Sequence, residues 1–160
     1  MTNAKYSSLK VTFRHLAMLC SRSEYCVYDI KRKLCNFGVE ECDRETIIQK
    51  LIDEKFVDEL RYCTAFVTDK IRNNKWGIRK IVNELQKKHI PSTIINEVII
   101  KFSKDEIQDV LTQLLIKKQK LITGKNPSEI NNKLMRFAYS RGFSSGEIEK
   151  AIETINNPSK

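Results

Sequence analysis

Two histidines, five cysteines and a few paired carboxylates are the side chains of this 160-residue chain that could move protons, hold a metal or attack a substrate. Cys20, Cys26, Cys35, Cys42 and Cys63 form no C-x-x-C pair and no tight zinc spacing. Their odd number argues against a closed disulfide framework, so they read as reduced thiols. His15 and His89 would each need distant partners to build a triad or a metal site, and they read as a helix-face and a helix-end residue. Glu40–Glu41 and Asp53–Glu54 could serve acid–base work, yet they sit in an acidic stretch that reads as a solvated face. No G-x-x-x-x-G-K-[ST], G-x-G-x-x-G, H-E-x-x-H or G-x-S-x-G run occurs. The expectation is a protein without catalysis, cofactor or metal.

The cations are better organised. Formal net charge is +9, which suits a polyanionic partner, although such an excess also serves solubility. Between Lys70 and Ile90 stand Lys70, Arg72, Lys75, Arg79, Lys80, Lys87 and Lys88, with Glu84 as the only acid. Between Glu40 and Glu59 the balance reverses. On a helical wheel Ile78, Ile81, Val82, Leu85 and His89 share one side, while Arg79, Lys80, Asn83 and Lys87 share the other. Such a face makes phosphate contacts or is merely solvated. Further basic clusters are Lys31, Arg32, Lys33 and Lys117, Lys118, Lys120. Trp76 reads as a packed residue before a stacking one.

The elements that hold these cations recur. Ile30, Leu34, Gly38, Val39 share a spacing with Ile81, Leu85, His89, Ile90 and with Leu134, Ala138, Gly142, Phe143. Each is an apolar pair four apart on one helix face, a helix-ending residue, and an apolar residue; Gly38 and Gly142 suit left-handed backbone, and Pro91, two residues beyond His89, stops that helix. Ile95, Val98, Ile99 then match Ile148, Ala151, Ile152 in offset, and Ile48, Leu51, Ile52 follow four residues late, as if "ECDR" were inserted. A further helix precedes each pair, at about Thr12–Cys20, Asp58–Asn73 and Lys104–Lys120. The second carries Leu60, Cys63, Val67 and Ile71 on one side, with Asp58 as its cap. The fold expected is all-α, three tandem three-helix units (1–56, 57–103 and 104–160) stacked into an elongated, curved array. No apolar run is long enough to span a bilayer, and the N-terminus lacks the pattern of a signal peptide, so a cytoplasmic protein without membrane contact is expected.

The stretch "FVDELRYCTAFVTDKIRNNKWGIRKIVNELQKKHIP" resembles the RecX family of recombination regulators. Phe56, Val57 and Asp58 match the family's opening, Tyr62, Ala65 and Phe66 its helix, and Gly77, Ile81, Glu84, Leu85, Lys88 and Ile90 the helix that follows. Arg22, Ser23, Lys33, Leu34 and Gly38 extend the likeness into the first unit, and it spans about Leu16 to Ile155. Glu59, Cys63 and His89 depart from the pattern, and the interval from Ser23 to Ile30 is longer. The resemblance implies tandem three-helix repeats that bind the RecA filament, modulate its assembly, ATPase and strand exchange (mostly as inhibitors), and also bind DNA. It implies action in DNA repair, recombination and the SOS response.

Together these readings point to a monomeric, non-enzymatic regulator of RecA filaments that meets single- and double-stranded DNA largely without regard to sequence. The contact residues expected are Arg72, Lys75, Arg79, Lys80 and Lys87, extended by Lys31, Arg32, Lys117, Lys118 and Arg136. A helix-turn-helix protein acting on its own is the alternative, with Arg79, Asn83 and Lys87 as base readers. A protein-only adaptor is the third class.

Overall fold

The structure is a computed structural model that describes residues 2–124 and 126–157, with side chains from Ser8 onward. These residues form nine helices and no strand: α1 Thr2–Cys20, α2 Val27–Asn36, α3 Glu41–Asp53, α4 Glu59–Arg72, α5 Ile78–Lys87, α6 Ser92–Ile99, α7 Lys104–Gln119, α8 Pro127–Ser140 and α9 Ser145–Asn156. None of them is long and apolar enough to cross a membrane.

Starts and stops follow local chemistry. Asp58 accepts from the Arg61 N–H at 2.9 Å, Ser103 from Glu106 at 3.0 Å and Asn126 from Glu129 at 2.8 Å. Each satisfies an orphan donor of a new helix, worth about 1 kcal/mol. Ser144 and Glu147 form a reciprocal capping box at the start of α9. The three expected stops have left-handed backbone: Gly38 (φ 70°), His89 (φ 58°) and Gly142 (φ 92°). In each case the next N–H reaches back to the same carbonyl of its helix: Val39 to Leu34, Ile90 to Leu85, Phe143 to Ala138. Val39, Ile90 and Phe143 are buried, which is the apolar contact that accompanies this cap.

Three apolar cores follow in chain order. The first joins Leu16, Ala17, Ile30, Leu34, Ile47, Ile48 and Leu51. The second joins Tyr62, Cys63, Val67, Ile71, Ile81, Leu85, Ile95 and Val98. The third joins Ile107, Leu111, Leu115, Leu134, Ala138, Phe143, Ile148 and Ala151. The paired positions of the repeat (Ile30/Leu34, Ile81/Leu85, Leu134/Ala138) are all buried. The exposed surface is 10433 Å² for 18.7 kDa, against about 8,300 Å² for a compact monomer of that mass. Serial stacking of small units produces that excess.

Three details differ from the sequence reading. The first helix begins at Thr2 rather than near Thr12. Its early part carries charged and polar residues, so it shows no apolar stripe to read. Leu60 is exposed, and Tyr62 takes the inward position beside Cys63. The "ECDR" insertion is helical. It forms the first turn of α3, and Ile47 joins Ile48 and Leu51 in the core.

Candidate functional site

Helix α5 places Arg79, Asn83, Gln86 and Lys87 at the surface because Ile81 and Leu85 are committed to the core. The C-terminal end of α8 lies across from it. Between the two runs an open groove of about 620 Å³, lined by Arg79, Lys80, Asn83, Glu84, Gln86 and Lys87 on one wall and by Tyr139, Ser140 and Gly142 on the other. The walls approach through two glycines. The Gly77 N–H donates to the Arg141 carbonyl at 2.9 Å, and Arg141 Nη1 donates to the Asn74 carbonyl at 2.8 Å. A methyl group at Gly77 would fall on the backbone of Gly142 and Phe143, and one at Gly142 would fall on Lys80.

The groove's cations differ in freedom. The Arg79 guanidinium sits 4.9 Å from the Tyr139 ring centroid, with an Nη2–hydroxyl distance of 3.4 Å. Lys80 lies over the Trp76 ring at 4.4 Å. Lys87 pairs with Glu84 at 2.7 Å, an exposed i, i+3 bridge that contributes under about 1 kcal/mol. Trp76 itself is half-buried against the middle core, so its main role is packing.

Of the ten residues singled out from the sequence, Arg79, Lys80 and Lys87 meet in this groove. Arg136 lies next door, in an apolar hollow of about 350 Å³ with Met135, Tyr139, Ser140, Ser145 and Ile148. Arg72 is turned to structure: its Nε and Nη2 donate to Glu106 at 3.2 and 3.1 Å, tying α4 to α7. Lys75 occupies the α4–α5 turn with a left-handed φ of 55°. Lys31 bridges to Glu45 at 2.8 Å, and Arg32 is exposed on α2. Lys117 is exposed near the end of α7, while Lys118 lies over Phe137 at 5.0 Å. Lys31, Arg32, Lys117 and Lys118 therefore belong to other faces than the α5–α8 groove. Sequence reasoning missed Tyr139 and Ser140. The signal lay in a large aromatic standing one residue off the buried Leu134/Ala138 face.

Lys88 has a different duty. Its ammonium holds both carboxylate oxygens of Asp29 at 2.6 and 2.8 Å, across the first and second units. Cys26 donates its thiol to the same carboxylate at 3.1 Å. Burial pushes the Asp29 carboxyl up, but the bonds from Lys88 and Cys26 outweigh it and hold it below the usual range. Burial pushes the Cys26 thiol up to about 12 and raises the Glu59 carboxyl, whose Oε1 accepts from the Val27 N–H at 3.1 Å. Arg61 completes this joint by donating to Glu24 at 2.7 Å and to the Lys55 and Phe56 carbonyls. Most of these groups bond one another, which suits a structural joint, while Glu24 Oε2 and Glu59 Oε2 are buried without a hydrogen-bond partner.

Cys20, Cys26 and Cys63 are buried and Cys35 and Cys42 exposed, all as free thiols. The one grouping of metal-type ligands among the described residues is Glu40, Cys42 and Asp43, with ligand atoms within 4.8 Å of one another. It stands at the start of α3, where a helix dipole favours acids in any case.

Comparison with known proteins accords with this architecture. Residues 58–99 match the second three-helix domain of RecX and residues 104–152 the third. Regulatory protein RecX of Vibrio parahaemolyticus is 30% identical over 135 residues, covering 84% of each chain. That of Vibrio campbellii is 31% identical over 134 residues, again covering 84% of each. In fold, the chain superposes on a crystal structure of regulatory protein RecX with TM-score 0.85 at 20% identity, over 94% of this chain and 75% of that one. On RecX from Lactobacillus salivarius the TM-score is 0.82 at 19% identity, over 94% and 98%. With two of its three units matched by the family's domains and the two Vibrio relatives aligned over 84% of their length, this chain belongs to the RecX family of regulatory proteins.

Proposed function

We propose that this chain is a non-enzymatic regulator of RecA recombinase filaments, acting as a cytoplasmic monomer in DNA repair, recombination and the SOS response. It engages the filament and its single- or double-stranded DNA through basic residues and lowers recombinase and ATPase activity. The observation that carries the reading is the convergence of Arg79, Lys80 and Lys87 on one open groove in a RecX-family fold. Ammonium and guanidinium groups at an open groove suit phosphate oxygens, whose neutralisation releases counterions and makes binding salt-dependent. Arg136 in the adjoining hollow extends this surface, and Arg72, Lys75, Lys31, Arg32, Lys117 and Lys118 supply further contacts outside the groove. An acidic surface of the recombinase offers carboxylates to the same cations.

The test is RecA ATPase and strand exchange on single-stranded DNA, with and without the protein, using wild type and the triple variant Arg79→Gln/Lys80→Gln/Lys87→Gln. The expected result is inhibition by wild type and a weaker, less salt-sensitive interaction for the variant, with a logarithmic salt slope smaller by about 2–3. Unchanged inhibition together with an unchanged salt slope would remove the groove from the mechanism. A preference of ~10³ or more for selected over random duplexes would instead make the protein a sequence reader on its own.

A further inference from the structure

Tyr139 is the wall that the basic groove and the apolar hollow share. It is 54% exposed, unusual for a large ring beside a packed helix face. On one side it borders Arg79, Lys80 and Lys87, with uncharged Asn83, Gln86 and Ser140 between them. On the other it borders Met135 and Ile148, with Arg136 at the same hollow. Glu84 is the only acid lining either space, and it is paired with Lys87. The volumes, about 620 and 350 Å³, fall in the range of ordinary ligand sites. A ligand suited to both carries anionic groups and an apolar group within one short span.

We propose that Tyr139 is a stacking platform for an unpaired nucleobase, so that this surface takes single-stranded nucleic acid in preference to duplex. The inference rests on the reading of the α5–α8 groove as a phosphate site and adds the base to it. The strand's phosphates lie along Arg79, Lys80 and Lys87, and a base turns over Tyr139 into the hollow between α8 and α9. Arg79 holds the ring from the groove side through its cation–π contact, and this pre-orders the platform. Every base presents a π-face, so such a contact adds affinity without reading sequence. A duplex keeps its base faces stacked inside and offers phosphates and base edges but no face to stack on. An apolar side chain of a protein partner is the competing occupant, and charge complementarity favours the nucleotide, which brings its own anions.

The experiment uses the full chain and fluorescence anisotropy at one fixed salt concentration. The probes are an oligothymidylate of about 16 nucleotides, an abasic strand of equal length, and a duplex of equal length. Oligothymidylate is expected to bind about tenfold more tightly than the abasic strand. Tyr139→Ala and Tyr139→Leu are expected to close that gap, and Tyr139→Phe to keep it. A Lys80→Gln/Lys87→Gln variant, which leaves Arg79 against the ring, is expected to weaken both strands alike. Equal binding of the thymidylate and abasic strands overturns the platform while leaving the phosphate groove standing. A gap that survives Tyr139→Ala, or a Tyr139→Leu variant that behaves as wild type, also overturns it; the latter identifies the hollow as a seat for an apolar side chain. Absence of binding to any strand removes the groove reading and the platform together. Tyr139 is a surface residue, so circular dichroism of each variant should match wild type.

Discussion

The two joints of the array differ in what lies at their centres. Between the first and second units an ionic and polar cluster of Asp29, Lys88, Cys26, Glu59, Arg61 and Glu24 is central, beside Cys26 and Tyr28 packed into the middle core. Between the second and third the centre is backbone on backbone at Gly77 and Gly142, flanked by Ile78, Phe102 and Val110, which pack against both cores, and by the Arg72–Glu106 ion pair. The first joint depends on charges that must stay paired once desolvated. The second depends on the absence of two side chains. One fold can therefore link similar units through different central contacts, and the repeat pattern in the sequence says nothing about which is used where.

Substitutions can break or sharpen that contrast. The largest effect is expected from Gly142→Ala, which strains a left-handed backbone and drives a methyl into Lys80. A loss of about 3 kcal/mol in urea unfolding follows from those two penalties together. Gly38 occupies the same slot of the first unit with open space around it. Gly38→Ala should cost only about 1 kcal/mol, the conformational part alone. If the two glycines proved equally sensitive, steric closeness would not define the second joint.

At the first joint, Lys88→Met leaves Asp29 half-buried and unpaired, with an expected loss of about 2 kcal/mol, intermediate between the two glycine variants. Adding Asp29→Leu should recover most of it. Alkylation gives a local readout, because reactivity follows the thiolate and Cys26 has almost none at neutral pH. Cys35 and Cys42 should react first in wild type, and Cys26 should become labelled in Lys88→Met if the joint opens.

The smallest effect concerns pH. Asp29 is held below the usual carboxylate range, so its contribution is present above that range and is lost as pH falls through the depressed value. Glu59 has the opposite sign. Burial raises it, so stability declines as pH rises from the ordinary carboxylate range through the raised value. Glu59→Gln keeps an oxygen to accept from Val27 and removes the ionisation. It should add under about 1 kcal/mol at neutral pH, after screening by solvent, and nothing in acid. Chemical denaturation at both pH values checks the sign.

Much of this was legible in the chain. The pairs Ile30/Leu34, Ile81/Leu85 and Leu134/Ala138 and the stops at Gly38, His89 and Gly142 follow from spacing, because a helix converts a four-residue interval into one face. Asp58 announced its cap. The site was legible only in part. Arg79, Lys80 and Lys87 could be placed on one outward face, but the opposite wall comes from residues about 60 positions away, as in Arg79 with Tyr139. Nothing local encodes such a meeting. Arg72 and Lys31 looked like free cations and are ion-paired to Glu106 and Glu45, for the same reason. Leu60 was misassigned because a helix stripe is wide enough to admit a neighbour, and Tyr62 fills the inward place.

The glycine contact also has a mechanical meaning. Where two main chains touch with no side chain between them, little can compress, slide or change rotamer. The Gly77–Gly142 seam therefore has little of its own that can yield. At Asp29 and Lys88 the units meet instead through side chains, which can change rotamer.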